Sequence, residues 1–268
     1  MRNGFGKEYY RNNILRYEGE YLKGQREGNG IEYYDKGKVK YKGHFSKGLW
    51  NGIGKEYYLK FENLKYEGEY LNGLWNGKGK EYSEVGELIF EGEYLNGKRN
   101  GNGKEYKFNK LEFEGEYLNG LRHGKGKEYS EEGELIFEGE YLNGKRNGNG
   151  KEYKFGKVEF EGEYLNGLKE GKGKEYYLKY GNIKFEGEYK KGKRNGKGKE
   201  FKVDQLEFEG KYLNGLRHGK GKEYHVKDGN LKFVCMYMNG LRNGKGKEFA
   251  YGKVIFDGNY LDGERIYY

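Results

Sequence analysis

Apolar and charged positions alternate in a phrase that returns along the whole chain. In one copy, residues 87–95 read Glu-Leu-Ile-Phe-Glu-Gly-Glu-Tyr-Leu, so that Phe90, Gly92 and Tyr94 occupy alternate positions between glutamates. Alternation with a period of two over this length is typical of a strand with one buried face. The phrase therefore predicts a strand with aromatic residues on one side and glutamates on the other.

Tight turns follow each copy of the phrase. Residues 96–101 contain two Asn-Gly dipeptides, which are the strongest short-range signal for a β-hairpin. A second strand is predicted over residues 101–106, and the short turn 107–110 leads into the next copy. Each copy is therefore expected to form one β-hairpin.

The first aromatic residue of the phrase recurs eleven times, every 23 to 25 residues. Its positions are Tyr17, Tyr41, Tyr66, Phe90, Phe113, Phe137, Phe160, Phe185, Phe208, Phe233 and Phe256. A fixed period in this range indicates a stack of identical supersecondary units. The predicted fold is all-β: an elongated, single-layer antiparallel β-meander solenoid of about eleven hairpins. We expect one array over residues 1–268, with a partial first hairpin at 1–16 and irregular C-terminal repeats at 233–268.

The two faces of this sheet have different compositions. Glycine weakens a strand unless neighbouring rings cover its backbone, and Gly92 lies between Phe90 and Tyr94, which predicts such cover. On the opposite face, Glu91 and Glu93 are expected to face lysines of adjacent strands and to form a charge ladder. We expect the ladder to be a solvated face that is paired with itself, and the alternative is a charged docking surface.

Composition supports a folded protein. Hydrophobic residues make up 34% and charged residues 35%, which would suggest disorder, but 30 Tyr and 15 Phe supply large side chains to bury. The net charge of +9 arises from 52 basic and 43 acidic residues, so most charge is self-neutralising. The single cysteine, Cys235, cannot form an internal disulfide, and no run approaches membrane-spanning length. These features predict a cytoplasmic protein, in the cytosol or peripheral at a membrane or the cytoskeleton.

Residues 66–79 read Tyr-Glu-Gly-Glu-Tyr-Leu-Asn-Gly-Leu-Trp-Asn-Gly-Lys-Gly, which closely resembles the membrane occupation and recognition nexus (MORN) repeat. The resemblance covers nearly the whole chain. It implies hairpins stacked into an elongated curved sheet that serves in protein interaction and scaffolding. It also implies dimerisation for several members and an association with anionic phospholipids for some.

No catalytic or cofactor-binding constellation is expected. The Gly-Lys-Gly-Lys stretches, as in residues 77–80, open strands rather than helices and lack the serine or threonine of a phosphate loop. Four scattered histidines and one cysteine do not have the spacing of a zinc site. Because the carboxylates recur identically in every unit, a singular active site is not predicted. The expectation is a protein that is not an enzyme and has no cofactor or metal.

A row of basic residues is predicted along the hairpin-turn edge of the sheet. Its members are Arg26, Arg99, Arg122, Arg146, Lys169, Arg194, Arg217 and Arg242. Such a row is able to attract an anionic membrane. The alternative is that exposed turns tolerate arginine and gain solubility from it. Nucleic acid is the less expected ligand, because the aromatics are predicted to cover glycines rather than stack on bases.

The phrase breaks near the C-terminus. Val234, Met236 and Met238 occupy positions of the charged face, and Ile255 joins them from a following strand. Exposed apolar patches often mark interaction sites. This patch predicts a dimer or partner site, and the alternative is a local packing defect or a cap.

Two tryptophans form a second irregularity, at adjacent hairpin tips. Trp50 and Trp75 stand where most repeats carry a basic residue. They are candidates for anchoring a protein partner, and burial against neighbouring turns is the alternative.

The sequence as a whole predicts a non-catalytic scaffold that binds protein partners and forms a homodimer through its C-terminal repeats. The competing hypothesis is a peripheral membrane module that binds anionic phospholipids through its basic hairpin tips.

Overall fold

The computed structural model describes residues 1–267, which form strands joined by turns. The chain divides into two compact units, Met1–Gly133 and Glu134–Tyr268. Tyr268, the last residue of the predicted irregular C-terminal repeats, lies outside the described residues. Within each unit, successive strands pair antiparallel with their neighbours in the chain. The predicted all-β antiparallel meander of hairpins is confirmed.

The first unit contains eleven strands. They are β1 (Gly4–Tyr9), β2 (Leu15–Leu22), β3 (Gln25–Tyr33), β4 (Val39–Ser46), β5 (Leu49–Tyr57), β6 (Leu64–Leu71), β7 (Leu74–Tyr82), β8 (Leu88–Leu95), β9 (Lys98–Lys107), β10 (Lys110–Leu118) and β11 (Leu121–Tyr129).

The described residues of the second unit form twelve strands. They are β12 (Leu135–Leu142), β13 (Lys145–Lys154), β14 (Lys157–Leu165), β15 (Leu168–Tyr176), β16 (Ile183–Lys190), β17 (Lys193–Lys202), β18 (Gln205–Leu213), β19 (Leu216–Tyr224), β20 (Leu231–Met238), β21 (Leu241–Ala250), β22 (Lys253–Leu261) and β23 (Glu264–Ile266).

The two Asn-Gly dipeptides of a repeat have different roles. Asn96-Gly97 is a two-residue hairpin turn, with φ values of 50° and 79°. Gly101 also has a positive φ, of 78°, but it lies inside β9, where the register shifts between Gly92 and Tyr94. The prediction of a second strand beginning at residue 101 was therefore wrong. The strand begins at Lys98, because the second dipeptide forms a β-bulge rather than a turn.

Most hairpins are built around a pair of glycines covered by one aromatic ring. In the hairpin of β16 and β17, Gly187 pairs with Gly198, and the ring of Phe185 lies over them, fully buried. A Cβ atom on Gly198 would lie 2.5 Å from Cζ of Phe185. Only glycine leaves room for the ring, so the predicted cover of glycine by aromatics is confirmed.

A second ring joins neighbouring hairpins into one layer. The ring of Phe185 makes an edge-to-face contact with Tyr189 of its own strand, at a centroid distance of 5.7 Å. It makes another with Tyr212 of the next hairpin, at 5.1 Å. Such pairs contribute about 0.5–1.5 kcal/mol each beyond the area they bury. Because most hairpins repeat the pattern, rings line one face of each unit.

The opposite face carries two kinds of glutamate. Glu186 lies opposite Lys199 and forms an ion pair with it at 3.9 Å, which is the predicted ladder. Glu188 instead accepts a hydrogen bond of 3.3 Å from the backbone N–H of Lys197, next to the bulge at Gly196. The second glutamate of the phrase thus stabilises the bulge.

We expect Gly198→Ala to lower the free energy of unfolding by roughly 1–3 kcal/mol, because the added methyl group forces Phe185 out of its place. Urea denaturation measures the change. The control is Lys199→Ala, at an exposed position of the same strand, which should change stability by less than about 0.5 kcal/mol. Equal effects of the two substitutions would contradict the account of the ring and glycine core.

Candidate functional site

The predicted basic row lies on the aromatic face rather than at an exposed tip. Arg194 pairs in register with Tyr189, and its guanidinium lies 4.0 Å from the centroid of the Phe185 ring. Its Nε donates to Glu175 at 2.9 Å, and its Nη1 donates to Glu200 at 3.1 Å. One guanidinium therefore covers the ring and joins two carboxylates.

The other members of the row repeat this arrangement. The cation lies 3.4 to 4.3 Å from a ring centroid, has at least one glutamate partner, and leaves 11% to 24% of its side chain exposed. These members are Arg26, Arg99, Arg122, Arg146, Lys169, Arg217 and Arg242. The expected exposed placement was wrong, because the second residue after the turn points to the ring face of the strand. Whether the row binds anions stays a prediction.

Sequence reasoning missed the carboxylates that hold this row. Glu200 lies opposite Phe185 in the register, on the aromatic face, and it contacts both Arg194 and Arg217. The sequence did contain a signal for this placement. In each Lys-Glu-Tyr/Phe segment the glutamate follows a core glycine by two residues, and residues two apart in a strand share one face.

Burial and ion pairing shift the pKa of these carboxylates in opposite directions. Burial raises the pKa of Glu175, but hydrogen bonds from Arg194 and Tyr189 and the charge of Arg194 outweigh it. The pKa of Glu175 therefore lies below its ordinary value of 4.5. The pKa of Glu223 is lowered in the same way, by Arg242 and Tyr237 against burial.

The two tryptophans replace the arginine in its layer. Trp50 stacks on Tyr41 and Trp75 stacks on Tyr66, each at a centroid distance of 4.4 Å. The indole N–H of Trp50 donates to Glu32 at 2.9 Å. The indole N–H of Trp75 donates to Glu56, the equivalent glutamate of the next repeat, at 3.1 Å. Packing within the fold accounts for both side chains, and we do not carry them into the proposed interface.

The C-terminal break is a change in the charged face of β20. Val234 and Met236 stand where β16 has Glu186 and Glu188, and Met236 is 43% exposed. Met238 is not part of the break, because it takes the position that leucine occupies in most hairpins. Ile255 is exposed on β22, two strands from Val234, and Lys247 on the intervening strand lies in register with Val234 and pairs with Asp257 at 2.9 Å. The expected patch is therefore smaller than predicted.

Packing beneath this break also departs from the repeat. Cys235 replaces a glycine, and its buried side chain faces Gly246, where other repeats place a ring over two glycines. The centroid distance from Phe233 to Tyr260 is 6.4 Å, against 5.1 Å for the equivalent pair of Phe185 and Tyr212. The ring contact between neighbouring hairpins is therefore longer here than at Phe185.

Sequence reasoning also missed a set of exposed bulky residues in the connecting turns. Phe108, Phe155, Val203 and Tyr251 each have a φ near +50°, which is rare for such residues. The signal was the turn length: only two residues separate the strands, as in Lys154-Phe155-Gly156-Lys157, and a hairpin turn of that length requires positive φ at both.

Among the described residues, no cluster of three or more histidine, cysteine or acidic side chains is placed to hold a metal ion. His123 and His218 lie on β11 and β19. No helix within residues 1–267 is long and apolar enough to cross a membrane.

The lowered pKa of Glu175 predicts an acid-sensitive fold. A carboxylate with a depressed pKa in the folded state contributes stability above its unfolded pKa, near 4.5, and loses it as pH falls through the lower folded value. We expect Arg194→Met to cost roughly 1–3 kcal/mol at neutral pH and to flatten the loss of stability in acid. Thermal melts from pH 7 to pH 3 would measure both effects. The exposed control Lys197→Met should melt like the wild type, and an unchanged acid profile in Arg194→Met would refute the assignment.

The family model of the MORN repeat matches eleven segments that together cover more than half of the chain. They are residues 1–14, 17–39, 41–58, 66–87, 90–110, 113–134, 137–154, 160–178, 185–205, 208–228 and 236–250. The comparison with curated proteins found no match. A solved structure titled "Crystal Structure of TcdB2-TccC3-TEV" aligns with 92% of this chain at 9% identity and a TM-score of 0.19, and the alignment spans 13% of that chain. From the repeated hairpins, the ring and glycine core and the family match, the chain belongs to the MORN repeat family.

Proposed function

We propose that this chain is a non-catalytic scaffold for protein–protein interaction that self-associates through its C-terminal repeats. The observation that carries the proposal is the pair of apolar residues, Val234 and Met236, at two strand positions that carry glutamate or lysine in the preceding hairpins of the second unit. We name these two residues the β20 patch.

The replaced glutamates have structural roles in other hairpins. Glu186 pairs with Lys199, and Glu188 accepts from a backbone N–H at the bulge. At Val234 and Met236 neither a carboxylate ion pair nor a carboxylate acceptor is chemically possible. The fold gives up both interactions and gains an exposed thioether, which favours a role for the patch in contact with another molecule.

A second copy of the chain suits the patch electrostatically. The two lysines in register with Val234 are neutralised, since Lys222 pairs with Glu209 at 2.9 Å and Lys247 pairs with Asp257 at 2.9 Å. In a two-fold contact, the patch meets itself while these ion pairs remain at the rim. Methionine adapts its shape to such a contact because its side chain is unbranched and polarisable.

A scaffold role also agrees with how the carboxylates are used. The glutamates of the aromatic face bind arginines, and those of the opposite face bind lysines, tyrosine hydroxyls or bulge amides, as Glu200, Glu161 and Glu188 illustrate. Catalysis requires a singular constellation of such groups, and we assign none. We do not extend the proposal to an anionic membrane bound at the basic row, because those cations already have carboxylate partners.

The test is the mass of the protein in solution. We expect the wild type to be a dimer at micromolar concentration and Met236→Glu to be a monomer by light scattering, because the new carboxylate places charge in the contact. Met236→Glu restores the residue of the repeat, so its melting temperature should not fall. Met238→Leu, which installs the leucine of most hairpins, serves as the control and should remain dimeric. A monomeric wild type would overturn the self-association proposal.

A further inference from the structure

We propose that the connecting-turn edge of the second unit binds an acidic protein segment that presents apolar side chains. Its contact residues are Phe155, Val203 and Tyr251, which we name the tip residues. The inference rests on the proposed protein-interaction function, but it concerns a different surface from the β20 patch.

The tip residues adopt a backbone conformation that their side chains disfavour. Each is the first residue of a two-residue turn, with φ of 52° at Phe155, 50° at Val203 and 50° at Tyr251. Asparagine and glycine fit such turns without this strain, and the hairpin turn Asn166-Gly167 of the same unit uses them. The strain is greatest for the β-branched Val203.

The fold does not offset this strain by burying the side chains. Phe155 is 74% exposed, Val203 is 70% exposed and Tyr251 is 101% exposed. The ring of Phe155 has the ammonium of its neighbour Lys154 at 5.8 Å from its centroid. Strained residues that persist at an exposed site point to a function outside the fold, and three apolar tips on one edge point to contact with a partner.

The lysines around the tips differ from the basic row in being unneutralised. Within the described residues, no ion pair involves Lys154, Lys157 or Lys253, whereas Arg194 of the same unit has two carboxylate partners. Asp204 beside Val203 carries the opposite charge, so the accessible positive charge of this edge lies at the turns of Phe155 and Tyr251. That charge complements an acidic partner.

A cleft beside the first tip completes the surface. It lies between the turn of Phe155 and the next connecting turn, has a volume of about 400 Å³, and is lined by Lys157, Val158, Glu161, Tyr176, Tyr180 and Gly181. Glu161 accepts a hydrogen bond from the hydroxyl of Tyr176 at 2.5 Å and forms an ion pair with Lys151 at 3.9 Å. Its charge is therefore matched, and Lys157 is the cation that lines the cleft. The cleft suits an apolar side chain of the partner, with a carboxylate placed next to it on Lys157.

The spacing of the tips describes the shape of the partner. Successive tip residues are separated by two hairpins, which is four strand steps or about 19 Å. A small molecule reaches one tip, whereas an extended segment reaches two or three and gains from their combined effect. We therefore assign the edge to a polypeptide rather than to a single small anion.

The experiment measures fluorescence anisotropy of a labelled synthetic peptide with the repeat Glu-Glu-Leu-Glu-Glu-Phe. Its length of about 18 residues spans all three tips when extended. The full chain is compared with a triple variant, Phe155→Asn, Val203→Asn and Tyr251→Asn. We expect the wild type to bind and the triple variant to bind at least about tenfold more weakly. Its melting temperature should rise or stay unchanged, because asparagine relieves the turn.

Matched control variants and a control peptide test whether binding depends on the tip residues and on the charge of the peptide. Val85→Asn removes an equally exposed apolar residue from the acidic turn of residues 83–87 and should leave binding unchanged. A peptide with glutamine in place of glutamate should not bind. Met236→Glu should bind the peptide like the wild type. The self-association proposal is therefore tested by light scattering alone and the peptide-binding proposal by anisotropy alone, so that either can fail without the other.

Three outcomes would overturn the proposal. The first is no binding of the peptide to the wild type, and the second is equal binding by the triple variant. The third is that the wild type, but not the triple variant, sediments with vesicles of phosphatidylserine and phosphatidylcholine, while neither binds the peptide. That result would assign the edge to a membrane surface.

Discussion

The fit of one aromatic ring over one pair of glycines is the constraint on which the rest of the structure depends. The ring of Phe185 occupies the space that any Cβ atom on Gly198 would need, and neighbouring rings then meet edge to face along the unit. A sheet with one hydrophobic face ordinarily needs a second layer to cover it. Here an arginine covers the ring, as Arg194 does, so that a single layer of sheet excludes water from its own core.

The arginine layer decides where charge is available. Because a guanidinium on a ring is largely desolvated, it requires carboxylates, and the aromatic face supplies them at positions such as Glu175 and Glu200. The basic residues that look most exposed in the sequence are thereby neutralised within the fold. Lysines of the connecting turns, such as Lys154 and Lys157, have no such partners among the described residues.

Functional candidates lie where the repeat gives up a structural interaction. At Val234 and Met236 the glutamates that form an ion pair and accept from the bulge amide in other hairpins are absent. At Phe155, Val203 and Tyr251 a bulky residue adopts a positive φ that it disfavours. Trp50 and Trp75 also depart from the repeat, but they stack on Tyr41 and Tyr66 in the arginine layer, and packing accounts for them. In a repeat protein the regular residues describe the scaffold, and the exceptions are the places to look for what it binds.

The sequence by itself determined the hairpins, their number and the cover of glycine by rings. Period-two alternation, Asn-Gly turns and repetition are local signals, and they act over a few residues. Only the tertiary structure decided which Asn-Gly is a turn and which is a bulge, and which glutamate meets which arginine. It also separated Ile255 from Val234, which the sequence had grouped together. The reason is physical: a bulge changes the register of every later residue in its strand, and ion pairs across hairpins join residues nearly twenty positions apart, so neither can be derived from a local pattern.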